Sequence, residues 1–392
     1  MAQIVAATGN EAAANALRQV NPHVCAAYPI TPSTTIMERF ASYIASGPVQ
    51  TEMSPVESEH SAISACVGAA AAGGRVVTAT SSQGLGLMWE ILPIASGFRL
   101  PIVMAVANRA VAAPVNIHCD HADSMGMRDA GWILIYSENA QEVYDNTLQA
   151  FRIAEHPDVR LPVAVCFDGF IISHAIQRIE YIEDSLASDL VGEYQQFYPL
   201  LDTGHAVSYG PLILQDLYME YKRLHQEVMN RVPGIALTVA GDFAKISGRS
   251  YGLFEAYRLE DAEIALVILN SAAGTAKDVV DEFRASGIKA GLLKPRLFRP
   301  FPYAEIAKAL KNIKAICVMD RSDSPGGFGP LYTEIAAALS MDGTRPLLMN
   351  KIFGLGGRDF LPDHAESALK ELHETARTGK IRSFKEYLGV RE

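Results

Sequence analysis

Arg75-Val76-Val77-Thr78-Ala79 is followed by Thr80-Ser81-Ser82-Gln83-Gly84-Leu85-Gly86, and then by Ile102-Val103-Met104-Ala105-Val106-Ala107. These runs decide the fold. The first and third are apolar strands of five and six residues. The middle one is a turn, expected to open a helix running through Ile94. Short apolar strands separated by helices indicate a parallel sheet covered on both faces. Val24 to Ala27 fits the same pattern, stopped by Pro29 and Pro32, with Ser33 or Thr34 able to cap a helix through Phe40 to Ile44. Leu161 to Phe167 is another strand, ending at Asp168-Gly169. Between them, Ser61 to Ala72 is rich in Ala, Ser and Gly. A helix that smooth packs closely on a sheet.

The organisation changes after this unit. Tyr194 to Glu227 contains Pro199, Gly204 and Pro211, then a helical stretch over Leu214 to Val228. This reads as an irregular connector, with Pro233-Gly234 marking a boundary. The α/β pattern then restarts. Strands are expected at Glu263 to Leu269, Ala290 to Leu293 and Ala315 to Met319. Helices are expected at Gly274 to Ala285, Tyr303 to Leu310, Leu331 to Leu339 and His364 to Thr378. Two domains follow, 1–232 and 233–392.

Bulk composition narrows the class. The chain has 392 residues, 49% hydrophobic and 20% charged, which suits a packed globular protein. A net charge of −10 disfavours general nucleic-acid binding. The start Met1-Ala2-Gln3-Ile4-Val5 lacks a charged leader region, and no apolar run is long enough to span a bilayer, so a cytoplasmic location is expected. Cys25, Cys66, Cys119, Cys166 and Cys317 include no CxxC pair. That spacing indicates reduced, buried thiols and argues against a cluster or zinc site built by this chain alone.

In open α/β sheets ligands bind beyond the carboxyl ends of strands. Tyr28 to Thr34, Ser81 to Gly86, Asn108-Arg109 and Asp168-Gly169 all fall at such ends. Glu59 heads the small-residue helix, where its charge is favoured by the dipole. Read alone it fits either a simple helix-start carboxylate or one that bonds a ring nitrogen of a cofactor. Thr31, flanked by Pro29 and Pro32, is either part of a plain turn or a carboxylate contact. Arg109 is either a salt-bridge partner or a two-pronged carboxylate binder. Asp120-His121-Ala122-Asp123 looks like a metal site by composition, but it lacks a third fixed ligand, and a loop hydrogen-bond network is the expectation. No G-x-S-x-G elbow and no Walker A sequence occur. Gly354-Leu355-Gly356-Gly357 does not open an N-terminal Rossmann unit and so carries little weight.

With these residues in view, the chain resembles the alpha subunit of thiamine-diphosphate-dependent 2-oxoacid:ferredoxin oxidoreductases, most closely the pyruvate type. The matching runs are Tyr28-Pro29-Ile30-Thr31-Pro32-Ser33, Glu57-Ser58-Glu59-His60-Ser61-Ala62, Thr80-Ser81-Ser82-Gln83-Gly84-Leu85, Ala107-Asn108-Arg109-Ala110, Asp120-His121, Asp168-Gly169-Phe170 with Ser173-His174, and Leu297-Phe298-Arg299-Pro300-Phe301-Pro302. The resemblance implies a pyrimidine-type thiamine-binding α/β domain followed by a smaller transketolase-C-terminal-like domain. It implies that Glu59 contacts N1′ of the aminopyrimidine and so activates the thiazolium carbon. Thr31, Arg109, Tyr28 and Ile30 would bind substrate. Pro29, Ser81, Gln83, Gly84 and Asn108 would flank the cofactor. The implied reaction is oxidative decarboxylation of a 2-oxo acid, first choice pyruvate, to acyl-CoA.

The resemblance also implies partners. A complete thiamine site needs a Gly-Asp-Gly run with a downstream Asn. Gly241-Asp242-Phe243 lacks the second glycine. A beta subunit would therefore bring the diphosphate pocket, Mg2+ and a [4Fe-4S] cluster, and gamma and delta-type subunits the rest, two copies of each. Electrons would pass to ferredoxin or a similar acceptor. One stretch departs from the family pattern: Asn116-Ile117-His118-Cys119-Asp120-His121 replaces an aromatic and an amide by His118 and Cys119. Phenylglyoxylate, a branched-chain 2-oxo acid or 2-oxoglutarate stay open as substrates. A non-catalytic assembly subunit and a thiamine enzyme without redox function are the competing classes.

Overall fold

The computed structural model describes residues 3–341, 343 and 345–391. Its strands are β1 Gln3–Ala7, β2 Val24–Ala27, β3 Glu52–Pro55, β4 Val76–Thr80, β5 Ile102–Asn108, β6 Ile133–Ser137, β7 Val163–Asp168, β8 Gln177–Tyr181, β9 Phe254–Tyr257, β10 Ile264–Ile268, β11 Ala290–Pro295, β12 Leu297–Arg299, β13 Ala315–Asp320, β14 Leu347–Ile352 and β15 Lys385–Tyr387. The first large sheet has the order β12-β6-β7-β5-β4-β2-β3, parallel except for the antiparallel edge strand β12. The second has the order β15-β14-β13-β10-β11-β9, parallel except for β9. β1 and β8 pair antiparallel as a separate ribbon.

The expected two-faced burial is present. Every residue of β4, β5, β6 and β7 is buried. One face packs on helices Gly9–Val20 and Ala140–Ala154. The other packs on helix Glu59–Ala72 and runs without a break into apolar residues of the second half, including Leu293, Phe298 and Ile306. At about 1.5–3 kcal/mol per buried large aliphatic side chain, this shared core holds the halves together more strongly than surface charges could.

Several local details differ from the sequence expectation. The stretch through Ile94 is two short helices, Ser82–Leu87 and Leu92–Gly97. The connector helix begins at Tyr218 and ends at Met229. Pro233-Gly234 lies in the first turn of helix Val232–Ser247, where proline needs no N–H partner. That helix buries Val232, Ala236, Val239 and Phe243 in the first core. Leu297 to Arg299 returns from the second half to edge the first sheet, which period-based reading of local sequence does not anticipate.

The halves are also joined by a charge cluster. Lys294, 3% exposed, meets Glu138 at 2.5 Å, Glu142 at 2.6 Å and Glu255 at 3.1 Å. Lys277 meets Glu138 and Glu255, each at 2.8 Å. Burial opposes the Lys294 charge, but the three carboxylates outweigh it and raise its pKa. Lys294→Met is expected to destabilise the chain by about 3–5 kcal/mol, because carboxylates lose a buried counter-ion. The chemical-denaturation midpoint measures this. An unchanged midpoint would contradict it.

Candidate active site

Glu59 is the first residue of helix Glu59–Ala72. Ser58 caps this helix by accepting a 3.2 Å bond from the Ser61 N–H. The cap turns the chain so that the Glu59 side chain enters the protein, where the residue is 6% exposed. Among the described residues no donor bonds its carboxylate. Its neighbour across the site is Gly84. A Cβ at Gly84 would lie 2.6 Å from Glu59 Oε1 and 2.5 Å from Thr80 Oγ1. Position 84 thus lacks a side chain where a side chain would strike the carboxylate. A buried carboxylate without a protein donor, beside a glycine cradle, fits an outside donor such as a protonated ring nitrogen.

The other strand ends converge on Asp123. Its carboxylate accepts bonds from Ser82 N (2.9 Å), Arg109 N (2.9 Å), Asn108 Nδ2 (2.8 Å) and Ser124 N (2.7 Å). Burial pushes the Asp123 carboxyl up to about 6, against the pull of these donors. This one side chain therefore ties the end of β5 to the turn after β4. Ser82 takes a left-handed φ of 51° and bonds Gln83 and the Ala110 carbonyl through its hydroxyl. Such backbone strain is found where a turn is over-determined by its surroundings.

Arg109 follows β5 directly. Its Nε donates to the Asn116 carbonyl at 2.9 Å and Nη1 to the Thr31 carbonyl at 3.0 Å. The guanidinium thereby braces the Tyr28–Thr34 loop and keeps its Nη2 group without a bonded acceptor among the described residues. The Thr31 side chain, Tyr28 and Pro29 are exposed, and Ile30 is half-buried. Ser81 spends its hydroxyl on the Thr80 carbonyl at 2.8 Å, and Gln83 is exposed. Asn108 is fully buried. Its Nδ2 is held by Asp123 and Ser124, and its Oδ1 is without a partner. So the structure brings Glu59, Gly84, Ser82, Asn108, Arg109 and Thr31 to one end of the sheet. Tyr28 and Pro29 stand at its open rim.

The acidic loop 120–123 is a hydrogen-bond network, as its composition suggested. Asp120 accepts from Ala122 N at 3.0 Å, and His121 Nε2 lies 2.7 Å from Asp168 Oδ1. Sequence reasoning did not anticipate the extent of the Asp168 joint. Its oxygens also meet Asn270 Nδ2 at 3.1 Å, Arg321 Nη1 at 3.3 Å, the Cys119 thiol at 3.4 Å and the Ser271 hydroxyl. Burial alone would raise the Asp168 carboxyl. Arg321, His121 and Ser271 together hold it well below the usual carboxylate range. Cys119, His121 and Asp168 lie close enough to resemble a metal set, but Arg321 already supplies the cation there. In Glu138, Glu142 and Glu255, Lys294 fills that place. All five cysteines are free and buried. At the departure from the family pattern, Cys119 is buried, whereas His118 is exposed with its ring 5.0 Å from that of Phe170. No helix among the described residues is long and apolar enough to cross a membrane.

Comparison with known proteins identifies the family. Residues 15–240 match the family described as pyruvate flavodoxin/ferredoxin oxidoreductase, thiamine diphosphate-binding, and residues 262–365 match pyruvate:ferredoxin oxidoreductase core domain II. The chain is 51% identical over 389 residues to pyruvate synthase subunit PorA of Thermotoga maritima, covering 99% of this chain and 98% of that protein. It is 40% identical over 379 residues to ketoisovalerate oxidoreductase subunit VorA of Pyrococcus abyssi, covering 95% and 94%. Among solved structures it is similar to a 2-oxoglutarate:ferredoxin oxidoreductase from Magnetococcus marinus, with TM-score 0.69 and 20% identity over 94% of this chain and 65% of that longer one. It is also similar in fold to a split-gene transketolase, with TM-score 0.52 and 14% identity over 94% of this chain and 95% of that one. The chain belongs to the thiamine-diphosphate-dependent 2-oxoacid:ferredoxin oxidoreductases, as an alpha subunit.

Proposed function

We propose that this subunit supplies the pyrimidine side of a thiamine diphosphate site and the carboxylate grip for pyruvate. The observation that carries this is the Glu59 carboxylate, buried, without a protein donor, and faced by Gly84. Bound thiamine diphosphate supplies a carbon nucleophile and an electron sink for decarboxylation. Glu59 holds the proton at ring nitrogen N1′, and the low-dielectric pocket strengthens that charge-assisted bond. Arg109 Nη2 and the Thr31 hydroxyl receive the substrate carboxylate. Tyr28 and Ile30 wall that site. Pro29, Ser81, Gln83 and Asn108 shape the rim where the cofactor enters. In this reading residues 1–232 form the pyrimidine domain and 233–392 the transketolase-C-terminal-like domain.

The site is half of a whole. A beta subunit contributes the diphosphate pocket, Mg2+ and [4Fe-4S] clusters, with gamma and delta-type subunits in a cytoplasmic complex holding two copies of each. Coenzyme A takes the acyl group and ferredoxin the electrons. Pyruvate is favoured because the relative sharing 51% of its residues is named for pyruvate. A branched-chain 2-oxo acid is the second reading, because a ketoisovalerate relative is 40% identical over nearly the whole chain. The test is to co-purify the partner chains and assay a 2-oxo acid panel with coenzyme A and a ferredoxin-type acceptor. Pyruvate is expected to give the highest kcat/KM. Aldehyde without acceptor reduction would refute the redox assignment.

Arg109→Lys tests the carboxylate grip. A lysine ammonium cannot reproduce the planar fork that spans Asn116, Thr31 and a substrate. The expected result is a KM for the 2-oxo acid raised about 10- to 100-fold, the worth of a lost charge-assisted hydrogen bond. A wild-type KM would remove Arg109 from substrate binding.

A further inference from the structure

We propose that Asn116 and the glycine turn Gly354–Gly357 form a clamp that aims the Arg109 guanidinium, making Asn116 a positioning residue for substrate binding. This rests on the reading that Arg109 binds the substrate carboxylate. Arginine has a long, flexible side chain, and its direction is set by what its N–H groups meet. Here Nε meets the backbone carbonyl of Asn116 at 2.9 Å. That carbonyl belongs to a loop whose residues 111–115 are all exposed. Within the first half the loop is closed by Ala110 N to the His118 carbonyl at 3.0 Å. The Asn116 Oδ1 accepts from His118 N at 2.6 Å, which fixes the local turn.

The remaining ties come from the other half of the chain. Asn116 Nδ2 donates to the Gly356 carbonyl at 3.0 Å. Gly357 N donates to the Cys119 carbonyl at 2.6 Å, and Gly356 N to Asp120 Oδ2 at 3.3 Å. Gly356 and Gly357 have φ of +61° and +80°, a backbone that disfavours any other residue. A Cβ at Gly356 would collide with Asn116 Nδ2, and one at Gly357 with His118 Cβ. On the far side the Phe170 ring backs His118. The order of causation is therefore second-half turn, Asn116, Arg109, substrate. None of these contacts is made to Glu59 or Gly84 directly; the turn that carries Gly84 is held separately, by Asp123 and the Ala110 carbonyl.

The experiment uses the assembled complex with pyruvate, comparing Asn116→Ala, Asn116→Asp and Gly356→Ala with Gly241→Ala, a helical position with open space around it. Asn116→Asp keeps the acceptor for His118 N, loses the donor to Gly356 and turns an anionic oxygen toward that carbonyl, so it opens the same tie by repulsion. The three clamp variants are expected to raise KM about tenfold while kcat stays within about threefold of wild type and thiamine diphosphate affinity is unchanged. Gly241→Ala is expected to match wild type. Hydrogen exchange at amides 110–118 provides a readout that needs no activity, and it should quicken in the clamp variants. A wild-type KM in both Asn116 variants, or unchanged exchange across 110–118, overturns the clamp. If the wild-type complex oxidises no 2-oxo acid, the functional reading fails, while the exchange measurement still decides whether the clamp exists.

Discussion

Glu59→Gln is expected to cut turnover of the assembled complex by roughly 10²–10⁴-fold, the usual worth of a positioned acid–base group. The substitution keeps size and shape and removes the charge. In the folded chain the Glu59 residue is buried and no described residue donates to its carboxylate, which leaves that carboxylate open to a bound donor. An amide in its place can still accept a bond, but it cannot stabilise a protonated ring nitrogen as an anion does. Because Ser58, not Glu59, caps the helix through its side chain, the fold should tolerate the change. Co-purification of partner chains and the unfolding midpoint should therefore match wild type. Turnover within about threefold of wild type would instead favour a subunit that serves only assembly.

Gly84→Ala is expected to cost about 10²-fold in kcat, although it adds one methyl group and touches no substrate. The new Cβ would fall 2.6 Å from Glu59 Oε1 and 2.5 Å from Thr80 Oγ1, closer than real Cβ contacts come. The helix Ser82–Leu87 cannot retreat easily, since Ser82 N and its hydroxyl are tied to Asp123 and Ala110. The Glu59 carboxylate must move, and a displacement near 1 Å is enough for the loss. Gly86→Ala is the control. It lies two residues on, with open space at the Cβ position, and should keep wild-type kcat. If Gly84→Ala keeps full kcat, the position of Glu59 in the folded chain is not the one that matters for turnover.

The two predictions differ in what made them visible. Glu59 was visible in a line of text as a carboxylate heading a smooth helix, which fits a plain helix start equally well; the family resemblance is what gave it a role. The reason Gly84 must be glycine was not visible there, since it is the closeness of two helices that lie apart in sequence. Asp123 shows the intermediate case. Its loop read as a hydrogen-bond network from composition, yet the fact that it gathers Ser82, Asn108 and Arg109 needed coordinates. The glycines at 354, 356 and 357 open no nucleotide motif, so the local sequence holds no sign of their use. Their left-handed backbones serve a contact with residues 116–120. Pro233-Gly234, read as a boundary, lies in the first turn of helix Val232–Ser247, which packs on the first core.

What the order of residues determined by itself was the alternation of strands and helices and the four loops at strand ends, since apolar period and turn chemistry act over a few residues. It also determined the family, through long motifs in one order. Only the tertiary structure decided that β12 crosses back to the first sheet, that Asp168 joins both halves, and that a turn near residue 356 reaches Asn116. Those contacts join residues more than a hundred positions apart. No local propensity encodes them; they follow from which buried faces and unpaired polar groups find each other when the two halves close.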